Sequence, residues 1–109
     1  LNNKYISLNF NNKFYTDHLP DNIEEINLGL YFNLELNNLP SSIKKITFDR
    51  QSMYNKKLNC LPNSLEVLQL PIEYDEQILV IPKKFKKLIC FKNYPYIKDF
   101  VGIHIETYS

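Results

Sequence analysis

A repeat of about 20 residues is the feature that most constrains the fold of this chain. The segment LPSSIKKITF at residues 39–48 returns with the same rhythm as LPDNIEEINL at 19–28, LPNSLEVLQL at 61–70 and IPKKFKKLIC at 81–90. Counted from one proline to the next, the spacings are 20, 22 and 20 residues. Such a period is typical of solenoids, in which each unit buries its apolar residues only against neighbouring units.

Apolar residues recur at fixed positions within each unit. With the proline as position zero, they stand at +3, +6 and +8: Ile23, Ile26, Leu28, Ile43, Ile46, Phe48, Leu65, Leu68, Leu70, Phe85, Leu88 and Cys90. The alternation between +6 and +8 predicts a short strand whose inward side chains form the core. So short a unit has no room for a full helix, so the return is predicted to be extended or 3₁₀.

The same register is predicted at both ends of the chain. Leu1 opens the first unit, with Tyr5, Leu8 and Phe10 facing inward, and Phe100, Ile103 and Ile105 repeat the pattern after a shortened interval. The chain is thus predicted to be a single, mainly β solenoid over 1–109, a short leucine-rich-repeat-like fold with one parallel sheet of about six strands. The predicted strands lie near 5–10, 24–28, 44–48, 66–70, 86–90 and 101–105. The predicted repeats are 1–18, 19–38, 39–60, 61–80 and 81–95, followed by a C-terminal cap over 96–109.

An aromatic marker recurs in the return, in Tyr31-Phe32-Asn33, Met53-Tyr54-Asn55, Glu73-Tyr74-Asp75 and, more weakly, Asn93-Tyr94-Pro95. The first three aromatics lie seven residues before the next Leu-Pro or Ile-Pro. Stacking of the units predicts an aromatic column of Phe32, Tyr54, Tyr74 and Tyr94 in the core. Asn33 and Asn55 are predicted to bond neighbouring backbone amides.

The combination of LPxSIxxLxF with FN and an apolar residue three positions on, as in YFNLEL and MYNKKL, resembles the FNIP repeat. This leucine-rich-repeat relative is abundant in social amoebae and giant amoeba-infecting viruses. The resemblance covers residues 1 to about 94 and is strongest over 19–82. It implies a solenoid for protein–protein contact, in some members behind an F-box that couples a ubiquitin ligase to its target. It supplies no catalytic residues, and no F-box is visible in this sequence.

Side chains at +4, +5, +7 and +9 form rows on the predicted sheet, because parallel strands stack in register. Row +4 is predicted as Ile6, Glu24, Lys44, Glu66 and Lys86, and row +5 as Ser7, Glu25, Lys45, Val67, Lys87 and Gly102. Opposite charges then meet on adjacent strands. We interpret these charges as a ladder that sets the register rather than as a site for a charged ligand.

Rows +7 and +9 complete the predicted outward face. Row +7 reads Asn9, Asn27, Thr47, Gln69, Ile89 and His104, and row +9 reads Asn11, Gly29, Asp49, Pro71, Phe91 and Glu106. In this register Ile89 and Phe91 are exposed beside Val67. Either they belong to a binding patch, or the last 15 residues fold over them as a cap. The candidate partner-binding residues are Lys45, Thr47, Val67, Gln69, Lys87, Ile89 and Phe91.

Charge and hydropathy argue against nucleic acid and membranes as partners. The formal net charge is +1, which gives no field over the whole molecule to hold a polyanion. A local basic stretch with interleaved aromatics, residues 83–98, has the composition of a single-strand binder, but the core pattern claims Phe85 and Tyr94. No apolar run approaches the roughly 18 residues that span a bilayer.

The reactive side chains match no known catalytic or metal-binding pattern. His18 and His104 have no companion ligands at metal-site spacing, and Cys90 falls at an inward position while Cys60 precedes a corner. Two cysteines are too few for a disulfide framework, which favours an intracellular, reducing compartment. The predicted location is the cytoplasm, or the cytoplasm of the host cell if the protein is viral. The glycine-rich loops and serine elbows of common enzymes are missing, so neither an enzyme nor a cofactor is predicted.

The predicted function is a non-enzymatic module that binds another protein through the sheet face, as the target-recognition part of an adaptor. The alternative is a structural solenoid that stacks on further repeats or self-associates through its N-terminal edge, where the first unit has no predecessor.

Overall fold

A computed structural model describes residues 4–109. It contains one sheet of six parallel strands, which follow one another in chain order. The strands are β1 (Tyr5–Leu8), β2 (Glu25–Leu28), β3 (Lys45–Phe48), β4 (Val67–Gln69), β5 (Lys87–Phe91) and β6 (His104–Tyr108). Within the described residues the helical elements are α1 (Lys13–Asp17) and a 3₁₀ turn over Ile97–Asp99. The prediction of a mainly β solenoid with one parallel sheet is confirmed.

Each Leu-Pro or Ile-Pro corner is a turn in which the proline carbonyl accepts the N–H three residues on. The distances at Ile23, Ile43, Leu65 and Phe85 are 3.1–3.3 Å. Because proline has no N–H, it sits before the strand without leaving a ladder bond unmade. Beyond the corner, the row +4 carbonyl accepts two successive N–H groups of the next strand; Glu24 O receives Lys44 N and Lys45 N at 2.7 and 3.1 Å.

The core consists of the inward strand positions together with two rows from the returns. Residues at +3, +6 and +8 of the four Pro-containing units are at most 6% exposed. The returns contribute the aromatic column. A second buried row follows four residues later in the sequence of each return and consists of Thr16, Leu36, Leu58 and Ile78. Sheet and return thus enclose a single apolar layer, as the repeat pattern predicted.

The predicted aromatic column is present, and each of its tyrosines is anchored by its hydroxyl. The ring centroids of Phe32, Tyr54, Tyr74 and Tyr94 follow one another at 6.1, 6.5 and 6.1 Å. Each tyrosine hydroxyl donates to a carbonyl of the preceding return, at Leu34, Lys56 and Glu76, over 2.7–2.8 Å. Burial raises the pKa of all three phenols well above the usual value, so they remain neutral donors.

Small polar side chains link consecutive units where the backbone has no ladder partner. Ser42 Oγ and Ser64 Oγ each donate to the +3 carbonyl of the preceding unit at 2.6 Å. Asn55 Oδ1 accepts from Asp75 N at 3.0 Å, as predicted. At Asn33 the described bond runs the other way, because its own N–H donates to Asn11 Oδ1 at 2.7 Å. These bonds account for Ser42, Ser64 and Asn55 of the repeat pattern; the prediction for the Asn33 side chain stays a prediction.

The predicted register of the first unit is wrong by two residues. Ile6 and Leu8 pair with Ile26 and Leu28, whereas Tyr5 and Phe10 are 55% and 57% exposed. The observed pairing keeps the 20-residue period from Ile6 to Ile26, which the predicted pairing would have shortened. Lys4, not Ile6, therefore opens row +4, and Leu1 lies outside the described residues.

The last strand is also displaced by two residues from its prediction. Phe100 is buried against Phe85, as predicted, at a ring distance of 5.8 Å. A turn through Gly102, whose φ of 77° favours glycine, then adds two residues before the strand. As a result Ile105, rather than Ile103, pairs with Leu88. The last residues do not fold over the sheet; β6 extends it.

Helix α1 in the first return was not predicted. Asn12 caps it, because its Oδ1 accepts the N–H of Tyr15 at 3.0 Å. Asn12 stands where the other units carry the column aromatic, and Thr16 replaces the aliphatic residue of the second buried row. The first return therefore has no large side chain to hold it extended across the core. Within the described residues, no helix is long and apolar enough to cross a membrane.

The third return carries two additional residues between its strand and its marker. Asp49 and Tyr54 lie five residues apart, whereas Gly29 and Phe32 lie three apart. The longer loop closes on itself: Ser52 N donates to Asp49 O at 3.0 Å, and Ser52 Oγ accepts Tyr54 N at 3.1 Å. The aromatic column is not displaced by the insertion.

Candidate protein-binding face

The outward face of the sheet presents three rows of side chains in the corrected register. Row +5 is Tyr5, Glu25, Lys45, Val67, Lys87 and His104. Row +7 is Ser7, Asn27, Thr47, Gln69, Ile89 and Glu106. In row +9 Phe91 pairs with Tyr108. Gly102, His104 and Glu106 therefore do not occupy the rows predicted for them, because β6 begins two residues later.

The seven predicted partner-binding residues lie on three adjacent strands and form one continuous patch. Lys45 and Thr47 come from β3, Val67 and Gln69 from β4, and the last three from β5. All except Ile89 are half-buried. The structure thus brings together the residues that the repeat pattern selected; that they bind a partner stays a prediction.

Ile89 and Phe91 are less exposed than the sequence indicated. Ile89 is only 9% exposed, because it lies between Gln69 and Glu106 of the flanking strands. The Phe91 ring lies 6.2 Å from the ring of Tyr108. The expectation that both side chains project freely is therefore wrong for Ile89, and its contribution is mainly to packing.

Tyr108 reaches from the last strand back across the carboxyl ends of the sheet. Its hydroxyl donates to Leu70 O at 2.5 Å, and the guanidinium carbon of Arg50 lies 4.2 Å from its ring centroid, a cation–π contact. Burial raises the pKa of Tyr108 to about 12, and the Arg50 charge opposes this rise. The contact joins the third, fourth and sixth units. It could not be predicted from the sequence because the predicted register of β6 was wrong by two residues.

Two polar residues of the patch have partners within the chain. Gln69 Nε2 donates to Phe48 O at 2.9 Å. Lys87 Nζ lies 2.9 Å from Glu106, and this hydrogen bond and charge hold the pKa of Glu106 below its usual value. Lys45, Thr47 and Val67 lie on the side of the patch that is farther from β6.

The alternating charges of row +4 lie immediately before the N-terminal ends of the strands. Glu24 lies 3.4 Å from Lys4 and 4.0 Å from Lys44, and Lys86 lies 3.5 Å from Glu66. These side chains are partly exposed, so each pair contributes at most about 1 kcal/mol. This geometry agrees with the interpretation as a register-setting ladder, with Lys4 in the place predicted for Ile6.

The remaining reactive side chains lie apart from one another. His18 stacks on Phe14 at 4.2 Å and its Nδ1 lies 2.7 Å from Phe14 O, while His104 is on the far strand. Cys60 is exposed; Cys90 is in the core, where burial raises its pKa to about 11. Among residues 4–109, no three His, Cys, Asp or Glu side chains are grouped to hold a metal ion. Phe85 and Tyr94 of the basic stretch are buried, as the core pattern required.

A second surface, on the returns, was not selected from the sequence. Leu30, Tyr31 and Met53 are 39%, 71% and 72% exposed and line a shallow apolar groove between the second and third returns. The corresponding positions of the next units are polar, at Glu73 and Asn93. Comparing the residue before each column aromatic would have revealed this cluster.

Comparison with known proteins agrees with the repeat. The family model of the FNIP Repeat matches residues 5–51. No curated protein and no solved structure matches the chain. Residues 5–51 hold the first two strands, the first two returns and β3, and the same two markers recur in phase beyond them. Over residues 5–51 the chain therefore matches the FNIP Repeat model, which supports the resemblance found in its sequence.

Proposed function

We propose that the chain is a non-enzymatic module that binds another protein through the outward face of its sheet, as the target-recognition part of an adaptor. The observation that carries this proposal is the continuous half-buried patch on β3, β4 and β5. Its backbone is fixed by parallel pairing on both sides of every strand that contributes to it. A rigid face loses little conformational freedom when it binds.

The chemistry of the patch suggests what the partner surface offers. Val67 lies at the centre of row +5 between Lys45 and Lys87, and Thr47 is beside it in row +7. Because Lys87 is already paired with Glu106, the apolar centre beside the Lys45 amine fits a partner that presents an aliphatic or aromatic side chain beside a carboxylate. The FNIP repeat supports a repeat module of the kind often used in protein contacts.

The test compares two substitutions of the same type at different surfaces. Val67→Arg places a bulky charge in the patch, and Val80→Arg places the same charge at a corner where valine is 58% exposed. A partner is first isolated by affinity capture with the unaltered chain and then titrated against both variants. We expect Val67→Arg to weaken binding by about tenfold or more, roughly 1.4 kcal/mol, and Val80→Arg to leave it unchanged.

Thermal unfolding of both variants provides the folding control: the exposed Val80→Arg should change stability by no more than about 0.5 kcal/mol, and the half-buried Val67→Arg is compared only if it remains folded. If a folded Val67→Arg variant binds as well as the unaltered chain, the sheet face is not the binding surface. The equivalent variant in the apolar groove, Met53→Arg, then tests the returns.

A further inference from the structure

Two opposite charges of the outward face lie side by side without meeting. Glu25 and Lys45 are register partners on β2 and β3, and both belong to row +5. Among the described residues neither side chain has an ion-pair partner within 4.0 Å. Lys87 of the same row, by contrast, lies 2.9 Å from Glu106. This part of the face therefore presents one carboxylate and one amine that are available to a neighbouring molecule.

These two charges make the face complementary to itself. Consider two copies that pack face to face about a two-fold axis parallel to the strands, midway between β2 and β3. The rotation exchanges the two strands and keeps their direction, so each row lies over the same row of the second copy. Glu25 of each copy then lies opposite Lys45 of the other, and two ion pairs form together. Because sheet twist rotates packed sheets by about 30°, the match is closest at the strands beside the axis.

The side chains around the two charges agree with this axis. In row +5 it places Tyr5 of β1 opposite Val67 of β4, so an aromatic ring covers an aliphatic side chain. Like charges do not meet in rows +5 and +7 of these four strands. In row +7 both exchanged pairs are polar, namely Ser7 with Gln69 and Asn27 with Thr47.

Other two-fold axes fit these charges less well. An axis on β2 would bring Glu25 against its own copy, and an axis on β3 would do the same to Lys45. An axis between β3 and β4 would cover the Lys45 amine with Val67. It would also pair Glu25 with Lys87, whose amine is already held by Glu106. An axis across the strands would place each strand over its own copy, so that Glu25 and Lys45 never face each other.

We propose that a second copy of this chain binds the outward face, in a two-fold dimer in which Glu25 and Lys45 exchange ion pairs. Four strands at about 4.8 Å and five positions at about 3.3 Å give a flat footprint of roughly 300 Å² on each copy. Stable complexes cover about 800 Å² on each partner, so this dimer is weak and reversible. All of its contacts come from side chains on the face, and none uses an edge of the sheet.

The dimer covers part of the candidate partner-binding patch. The covered residues are Lys45, Thr47, Val67 and Gln69. A second copy and a partner protein then compete for one face, so self-association keeps the face covered until a partner is present. This competition rests on the proposed function, whereas the dimer itself does not.

Sedimentation equilibrium of the 109-residue chain and its charge variants, at low ionic strength, tests the dimer. Glu25→Lys and Lys45→Glu each place like charges opposite one another, so each should raise the dimer dissociation constant at least tenfold. An equimolar mixture of the two variants should form a one-to-one dimer, because both ion pairs return with reversed polarity. The double variant should dimerise as the unaltered chain does. Glu73→Lys makes the same change on an exposed return and should leave the dimer unaffected.

Two results would overturn the dimer. One is a chain that remains monomeric at all concentrations, and the other is a mixture that associates no better than either single variant. If circular dichroism shows that a charge reversal is misfolded, Glu25→Gln and Lys45→Gln replace the reversals. Each should weaken the dimer severalfold, since one member of every ion pair loses its charge, and unchanged association of both also overturns the proposal.

The competition has a separate readout. Glu25 lies outside the candidate partner-binding patch, so a folded Glu25→Lys variant should bind the captured partner at least as tightly as the unaltered chain. Weaker binding by this variant would contradict the competition. Val67→Arg probes the partner site and Glu25→Lys probes the dimer without any partner present. A failure of the proposed function is therefore distinguishable from a failure of the dimer.

Discussion

At the scale of single residues, one hydroxyl distinguishes the column aromatics. Tyr54, Tyr74 and Tyr94 each bond a carbonyl of the preceding return. The equivalent carbonyl below Phe32 belongs to Phe14, where the return is helical and the His18 ring already lies 2.7 Å away. Phenylalanine, which has no hydroxyl to donate, therefore stands where the preceding carbonyl already has a partner.

Replacing Tyr74 by phenylalanine should therefore destabilise the chain by about 1 kcal/mol, because the carbonyl of Lys56 loses its donor. Tyr31→Phe removes the same hydroxyl from a ring that is 71% exposed and should change stability by less than about 0.5 kcal/mol. Urea unfolding of the two variants measures the difference. Equal effects would show that the hydroxyl ladder does not contribute to stability.

At the scale of the element, β4 is the shortest strand because Pro71 follows it at +9. In the second and third units the residue at this position donates its N–H to the preceding strand, from Gly29 to Leu8 O and from Asp49 to Leu28 O. Pro71 has no N–H, so the Gln69 side chain donates to Phe48 O instead. A residue selected for the binding patch thus also completes the ladder.

Gln69→Met keeps the length of this side chain but removes the donor, and should cost about 1 kcal/mol. Restoring a backbone N–H with Pro71→Asn should reduce that cost in the double variant, since the amide can then bond Phe48 O. A double-mutant cycle by chemical unfolding measures the coupling. Additive effects would mean that Gln69 does not substitute for the missing amide.

The four units with a proline could be read from the sequence because two independent markers fix their phase. The terminal units lack one or both markers, and their alternating residues, Tyr5-Ile6-Ser7-Leu8, fit two registers equally well. What decided between them was backbone pairing over the full period and, at the other end, a turn at Gly102. The face residues of β3 and β4 were predictable for the same reason, whereas the burial of Ile89 depended on the misplaced β6.

At the scale of the whole molecule, stability is shared between neighbouring units rather than spread over one common core. Within the described residues each strand pairs only with its neighbours in the sheet, so β1 and β6 have one paired neighbour and the internal strands have two. The exposure of the isoleucines in row +6 illustrates this difference. Ile26 and Ile46 are fully buried, whereas Ile6 and Ile105 in the first and last strands are only half-buried.

Ile46→Ala should cost roughly 2–5 kcal/mol, because that side chain is fully buried between two strands. Ile105→Ala should cost only about 1 kcal/mol, because its burial is partial. Thermal unfolding of the two variants measures the difference. A similar loss of stability in both variants would contradict the expectation that the last strand contributes less to stability than an internal one.

The self-closing loop of the third return shows where this architecture tolerates changes in length. Its two additional residues are absorbed between Asp49 and Tyr54 by local hydrogen bonds, and the strands on either side keep their pairing. Insertions can therefore accumulate at this corner during evolution without altering the spacing of the sheet. The same corner is the natural place to graft a foreign peptide, which would be displayed beside the carboxyl ends of the strands.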